Sequence, residues 1–350
     1  MKRLRWLIPG IVLPILCFVT AYFLITCDAN EPEPDITLDS APAATALTWY
    51  TSIPQLHAER LTNAFQAETG IEVSFIRDST FIIRDRLISE IGSGAAEADV
   101  ITIADIGTYT ELKKQGLLLK YSSSHYKSYG DEYQDPDYWA VFAAFGICMA
   151  YDESRLQSPP QHWLDLLDER WQGRIGIEDI NTAGSQYGQY YMLREKLGAG
   201  FWEELLSEQQ PIIYYQTEEL ANALLEGDID IAGEFSIHTV YSYRVKRGVP
   251  IQGIYPEEGI PIVVNPTAIM HGTDQPQNAK IFHDFLLSLR GQELMQRLNY
   301  KYSVREDVPP LEGIPSFSSL NVLQPQDIDD YAGKRDEYIQ EFNRFLGNTR

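Results

Sequence analysis

Hydrophobic positions along this chain alternate between two periods. Residues 46–52 read as a strand and its exit, after which Leu56, Leu61 and Phe65 recur at helical spacing until Gly70 stops the helix. Residues 71–76 alternate as a second strand. Asp78, Ser79 and Thr80 then precede a periodic run at 81–91, which puts a hydroxyl residue at a helix N-cap. A small-residue turn at 92–95 leads into a third strand with its exit at 98–105, then a helix at 108–115. This alternation predicts an α/β fold with a mostly parallel sheet and exit loops gathered along one edge.

The same grammar continues further on. An aromatic and small-residue run at 138–151 is expected to carry the chain, at 143–151, into a second lobe. Strands are predicted at 174–177, 211–216 and 228–232, with helices at 187–197, 218–225 and 240–247, and a return crossover at 249–255. Residues 262–270 read as a buried strand, and Ile281, Phe282, Phe285 and Leu286 mark one face of the helix after it. In the tail, Tyr331, Tyr338, Ile339, Phe342 and Leu346 are spaced to bury one helical face. The expected organisation is lobe 1 at 46–144 plus 261–320, lobe 2 at 145–260, and a C-terminal helix at 321–350 of unassigned lobe.

The N-terminus changes the setting. Lys2, Arg3 and Arg5 precede residues 7–26, twenty residues without a charge, which is long enough to span a bilayer. Residues 24–27 end in Cys27, and residues 28–45 form an acidic Pro- and Ala-rich tether. A lipidated Cys27, an uncleaved anchor and a cleaved signal all place the folded part outside the inner membrane. Net charge is −22 over 350 residues, and removing the three basic residues of the leader takes it to −25 from residue 28 onward. Such a surface disfavours nucleic acid and anionic lipid as partners of the folded part. Beyond Cys17 and Cys27 only Cys148 remains, so an internal disulfide and a thiolate metal cluster are both excluded there.

The stretch 255–294 carries a further signal: Tyr255-Pro-Glu-Glu-Gly259, the strand through Met270, then a helix from Asn278 and Gly291-Gln-Glu-Leu294. In that order these parts resemble the late signature of extracellular solute-binding proteins of bacterial ABC importers, in the group that includes ferric-iron, phosphonate and sugar-phosphate binders. Tyr50-Thr-Ser, Glu68-Thr-Gly70, Ala98-Asp-Val100, the segment from His162 and the segment from Trp171 resemble earlier parts of the same family. The likeness covers about residues 45–310. It implies a two-lobed periplasmic-binding-protein type II fold, a small solute in the cleft, and an inner-membrane permease and ATPase as partners of a monomer. It implies no cofactor.

Candidate binding residues are those at strand exits and helix starts: Thr51, Ser52, Ser79, Thr80, Asp105, Asn181 and Ser185, with Glu234 and His238 in the matching loop of the second lobe. Free N–H groups at a helix start bind an anion without a basic side chain, which reconciles an acidic protein with an anionic ligand. Ser79 and Thr80 also fit plain capping, Asn181 and Ser185 fit turn chemistry, and Asp105 fits a cap as well as a ligand hydroxyl or amine. His238 fits a capping role too, and Arg77 is placed to reach an anion. Ferric-iron members of the family use adjacent tyrosines in the loop where this chain has Phe235-Ser236, and a histidine where it has Pro54. Tyr214-Tyr215 is an adjacent pair, but its place in an earlier strand assigns it to the sheet. No nucleophile elbow, zinc helix or phosphate-binding glycine loop occurs, and the six histidines lack metal spacing. The expected protein is therefore a binder and not an enzyme: the capture subunit of an importer for a small anionic solute, with a ferric-ion binder and a tethered ligand sensor as alternatives.

Overall fold

The computed structural model describes residues 46–347; the expected leader or anchor, Cys27 and the acidic tether lie outside the described residues. Among the described residues no helix is long and apolar enough to cross a membrane.

Three strand–helix units open the fold: β1 (Leu47–Thr51) and α1 (Gln55–Thr69), β2 (Val73–Arg77) and α2 (Thr80–Ser93), β3 (Val100–Thr102) and α3 (Ile106–Lys114). Gly70 ends α1 at φ 73°, a left-handed conformation that costs glycine little, with its N–H donating to the Gln66 carbonyl. β1 pairs in parallel with β2 on one side and β3 on the other, so all three exits face one edge.

The chain then makes the short β4 (Gln134–Asp135) and the long β5 (Trp139–Asp152). Next come β6 (Ile175–Glu178), α4 (Gly184–Leu197), α5 (Ala199–Ser207), β7 (Ile212–Tyr214), α6 (Thr217–Glu226), β8 (Ile231–Ser236) and α7 (Ile237–Tyr241). β9 (Ile251–Ile254) leads back to β10 (Ile260–Ile269), which is followed by α8 (Pro276–Leu287) and α9 (Leu289–Asn299). The tail holds β11 (Val322–Leu323), α10 (Ile328–Gly333) and α11 (Arg335–Gly347).

The strand order is β2-β1-β3-β10-β5-β8-β6-β7. β5 joins its two halves. Residues 139–146 pair antiparallel with β10; from Ile147 onward the strand pairs with β8, and from Met149 with β9. β6 runs parallel to both β7 and β8, so their exits also share one edge. The first half packs α1, α8 and α9 on one face, where the Phe282 ring lies 5.3 Å from Trp49 and 4.9 Å from Phe65.

Several elements differ from the sequence reading. The expected crossover at 143–151 is part of one unbroken strand; buried on both faces, it shows an apolar run and no alternation. β7 is confined to 212–214. The helix expected at 240–247 begins at Ile237 and widens into a π-turn at Ser242–Lys246. The tail is two helices: α10 packs on α3, and α11 on α4 and α5, so it touches both halves of the sheet.

Candidate functional site

The two sets of strand exits face a common cavity of about 550 Å³. One wall is built from the exits of β1, β2 and β3 at Ser52, Arg77–Thr80 and Ala104. The other comes from the ends of β6 and β7 at Glu178 and Tyr215, from Glu234 inside β8, which the sequence reading places in the loop after a shorter strand, and from the first turns of α4, α6 and α7. Phe145 and Ile147 of β5 lie between them. The walls approach closely at Gly184, where a Cβ would stand 2.3 Å from the Ala104 carbonyl oxygen and 3.0 Å from Asp105 and Thr80 carbons.

Of the expected residues, Ser52, Ser79, Thr80, Ser185, Glu234 and His238 line this cavity. Ser52 Oγ accepts from the Ala104 N–H at 3.1 Å and ties two exits together. Ser79 occupies the N-cap of α2, yet its hydroxyl makes no capping hydrogen bond. Ser185 Oγ donates to Gln186 Oε1, and Gln186 Nε2 donates to Glu178.

Three expected residues lie elsewhere. Thr51 is fully buried, its hydroxyl donating to the Thr102 carbonyl and accepting from the Ile53 N–H. Asp105 is committed to capping α3, where it accepts from Thr108, and to an ion pair with Arg335 at 2.7 Å. Asn181 turns to Asp179 and Asn343. Each of the three side chains hydrogen-bonds within the protein.

The sequence reading missed Lys301, the least expected group in the cavity. It lies beyond α9, and an isolated bridge between Ala144 and Tyr302 delivers it to β5. Lys301 is 7% exposed; its Nζ donates to Asn265 Oδ1 at 3.2 Å and sits 4.2 Å from the centre of the Phe145 ring. Among the described residues no carboxylate comes within ion-pairing distance of it. Burial pulls its pKa down to about 7. His238 meets the same ring edge-on at 5.1 Å, and its Nδ1 has no partner among the described residues. Burial, then Lys301, holds His238 well below the usual imidazole range. Arg77 adds an exposed cation at the rim.

Two carboxyls lie deeper. Glu178 and Glu234 are 6% and 4% exposed, and among the described residues Glu234 Oε1 has no partner. Burial, then repulsion from Glu178, pushes Glu234 well above the usual carboxyl range; burial also raises Glu178. Glu178, the last residue of β6, was legible as a strand exit, but nothing in the sequence set it apart.

For metal, Tyr214 stays in β7, while Tyr215 leaves the strand and lines the cavity. Among the described residues no group of three or more His, Cys, Asp or Glu is placed to hold an ion.

A model of the family described as bacterial extracellular solute-binding protein matches residues 96–330. A probable ABC transporter periplasmic-binding protein of Sinorhizobium fredii is 26% identical over 299 residues, covering 78% of each chain. Iron-bound HitA from Pseudomonas aeruginosa superposes with a TM-score of 0.77 at 21% identity, covering 86% of this chain and 99% of that one. The periplasmic binding protein AfuA from Actinobacillus pleuropneumoniae, with fructose-6-phosphate bound, gives 0.75 at 21% identity, covering 87% and 98%. The architecture is thus the α/β type II periplasmic-binding-protein fold, with mixed sheets. Two cargoes as unlike as iron and a sugar phosphate share it, so the fold does not name the ligand.

Proposed function

The chain belongs to the bacterial extracellular solute-binding proteins, and on that premise we propose that it is the substrate-binding component of an ABC importer whose cargo is a small anionic solute. Such a protein performs no covalent step; its work is capture and release. The observation that carries the anionic reading is Lys301, a buried cation in the cavity whose one hydrogen-bond partner among the described residues is a neutral amide. Burying a charge without a counter-ion is costly in the empty protein, and an anionic ligand offsets that cost. Arg77 and the starts of α2 and α4 add further donors around the same space. The S. fredii relative supports the ABC assignment, and the sugar phosphate in AfuA supports an anionic cargo.

In this reading residues 46–144 with 261–320 and residues 145–260 act as lobes, and β5 and the β9–β10 connection are the hinges. Closure on the solute gives an inner-membrane permease and its ATPase a distinct shape to engage. The folded part works on the extracytoplasmic face as a monomer, tethered through lipidated Cys27 or an uncleaved N-terminal helix.

A thermal-shift panel on the full chain tests this. Phosphosugars, phosphonates and carboxylates are set against polyamines and ferric citrate, with citrate alone as control. A ligand selective for the folded state at a hundred times its Kd stabilises by about 2.7 kcal/mol. The expected result is a rise with one anionic class that Lys301→Met abolishes. A rise with ferric citrate but not with citrate would favour a ferric-ion importer and sink the anionic reading.

A further inference from the structure

The cavity has a second pole that an anion alone leaves unused. Along this face of the sheet Ile147 follows Phe145 by one pleat, Ser236 of β8 stands opposite Ile147, and Glu234 lies one pleat beyond Ser236. Lys301 sits over Phe145, two residues before Ile147, while Glu234 lies beyond Ser236 on β8 where the β5–β8 register shifts, so the two groups stand at different places along the cavity wall. Phe145 and Ile147 supply an apolar wall between them.

We propose that the cavity takes a zwitterion, with its anionic group at Lys301 and an ammonium group between the carboxyls of Glu178 and Glu234. This rests on the anionic-cargo reading of the same cavity and adds the other end of the ligand. Glu234 is more than nine-tenths buried, lines the cavity and keeps Oε1 unpartnered. An ammonium donates up to three hydrogen bonds and carries the charge that two adjacent carboxyls lack. The groups acting on this pole are Glu234 on β8, Glu178 on β6 and Glu219 on α6; Gln186 on α4 and Thr217 on α6 hydrogen-bond Glu178, and none of these is cationic. In the empty protein burial and mutual repulsion favour a protonated Glu234. An arriving ammonium lets it ionise, and the Glu234 proton goes to solvent.

The test is titration calorimetry on the full chain with matched probes: β-alanine against propionate, O-phosphoethanolamine against ethyl phosphate, ω-amino acids up to six carbons, and propylamine. The expected result is that an aminated probe binds about tenfold or more tighter than its plain counterpart. Glu234→Gln and Glu178→Gln should each erase that preference. Runs in buffers of different ionisation enthalpy should show proton release with the aminated probe that Glu234→Gln abolishes. Circular dichroism on both variants separates lost recognition from lost folding. Equal affinity for aminated and plain probes would overturn the zwitterion and leave the anionic reading standing; so would failure of every aminated probe to bind. Binding of propylamine with neither anion bound would sink the anionic reading and, with it, the zwitterion.

Discussion

Arg335 Nη2 lies 2.7 Å from Asp105 Oδ2, and both side chains are buried. Arg335 opens α11 and Asp105 caps α3, so this contact fastens the C-terminal helices to the first half of the sheet. The same two helices hold the second half: Tyr187 donates to the Tyr331 carbonyl, Tyr191 to Asp330, and Arg194 pairs with Glu341. The tail therefore straps the two halves together across the side of the fold.

Removing one partner of a buried pair leaves the other charge stranded. Arg335→Met should lower unfolding stability by about 3–5 kcal/mol, read from urea denaturation. Replacing both residues with a matched apolar pair should cost much less. A single-variant loss below about 1 kcal/mol would show that the contact is not formed in solution.

Lys301 predicts a specific pH dependence of the empty protein. Its folded pKa, about 7, lies below the unfolded value of about 10.4. Between those two values the unfolded chain binds more protons, so stability should rise with pH from about 7 upward and be reduced on the acid side. The groups around Lys301 are His57 on α1, His238 on α7, Asn265 on β10 and Phe145 on β5, with no carboxylate among them. Subtracting the pH profile of Lys301→Met from that of the native chain isolates this contribution. A flat difference between pH 7 and pH 9 would mean that the ammonium is solvated or paired.

Ser79 and Thr80 stand at the start of α2 and face the cavity, and the Ser79 hydroxyl is not used as a cap. Changing both to Ala should weaken ligand binding about tenfold and move the urea midpoint by less than about 1 kcal/mol in equivalent stability. Equal losses of stability and no loss of affinity would assign the pair to helix capping alone.

Gly184 lets α4 approach the exit of β3. A Cβ at 2.3 Å from the Ala104 carbonyl forces the two walls apart. Gly184→Ala should cost about 1–3 kcal/mol of stability and weaken any ligand held between the walls. Small-angle scattering should report a more open form than the native chain gives. An unchanged profile with unchanged affinity would show that the walls do not need this approach.

The sequence by itself determined the alternation of strands and helices, the gathering of exits on one edge, and the placing of Ser52, Ser79, Thr80, Ser185 and His238 at exits and helix starts. These follow from local rules, since side-chain period, cap residues and stop glycines act over a few positions. The tertiary structure decided which of those positions open on the cavity. It gave Asp105 to Arg335, 230 residues away, and used Thr51 within the β1–β3 connection. It also brought in Lys301, beside an asparagine 36 positions earlier and an aromatic ring on another strand. A lysine in a polar loop has the same local signature whether it meets water or a ring, because burial is set by contacts between residues far apart in the chain.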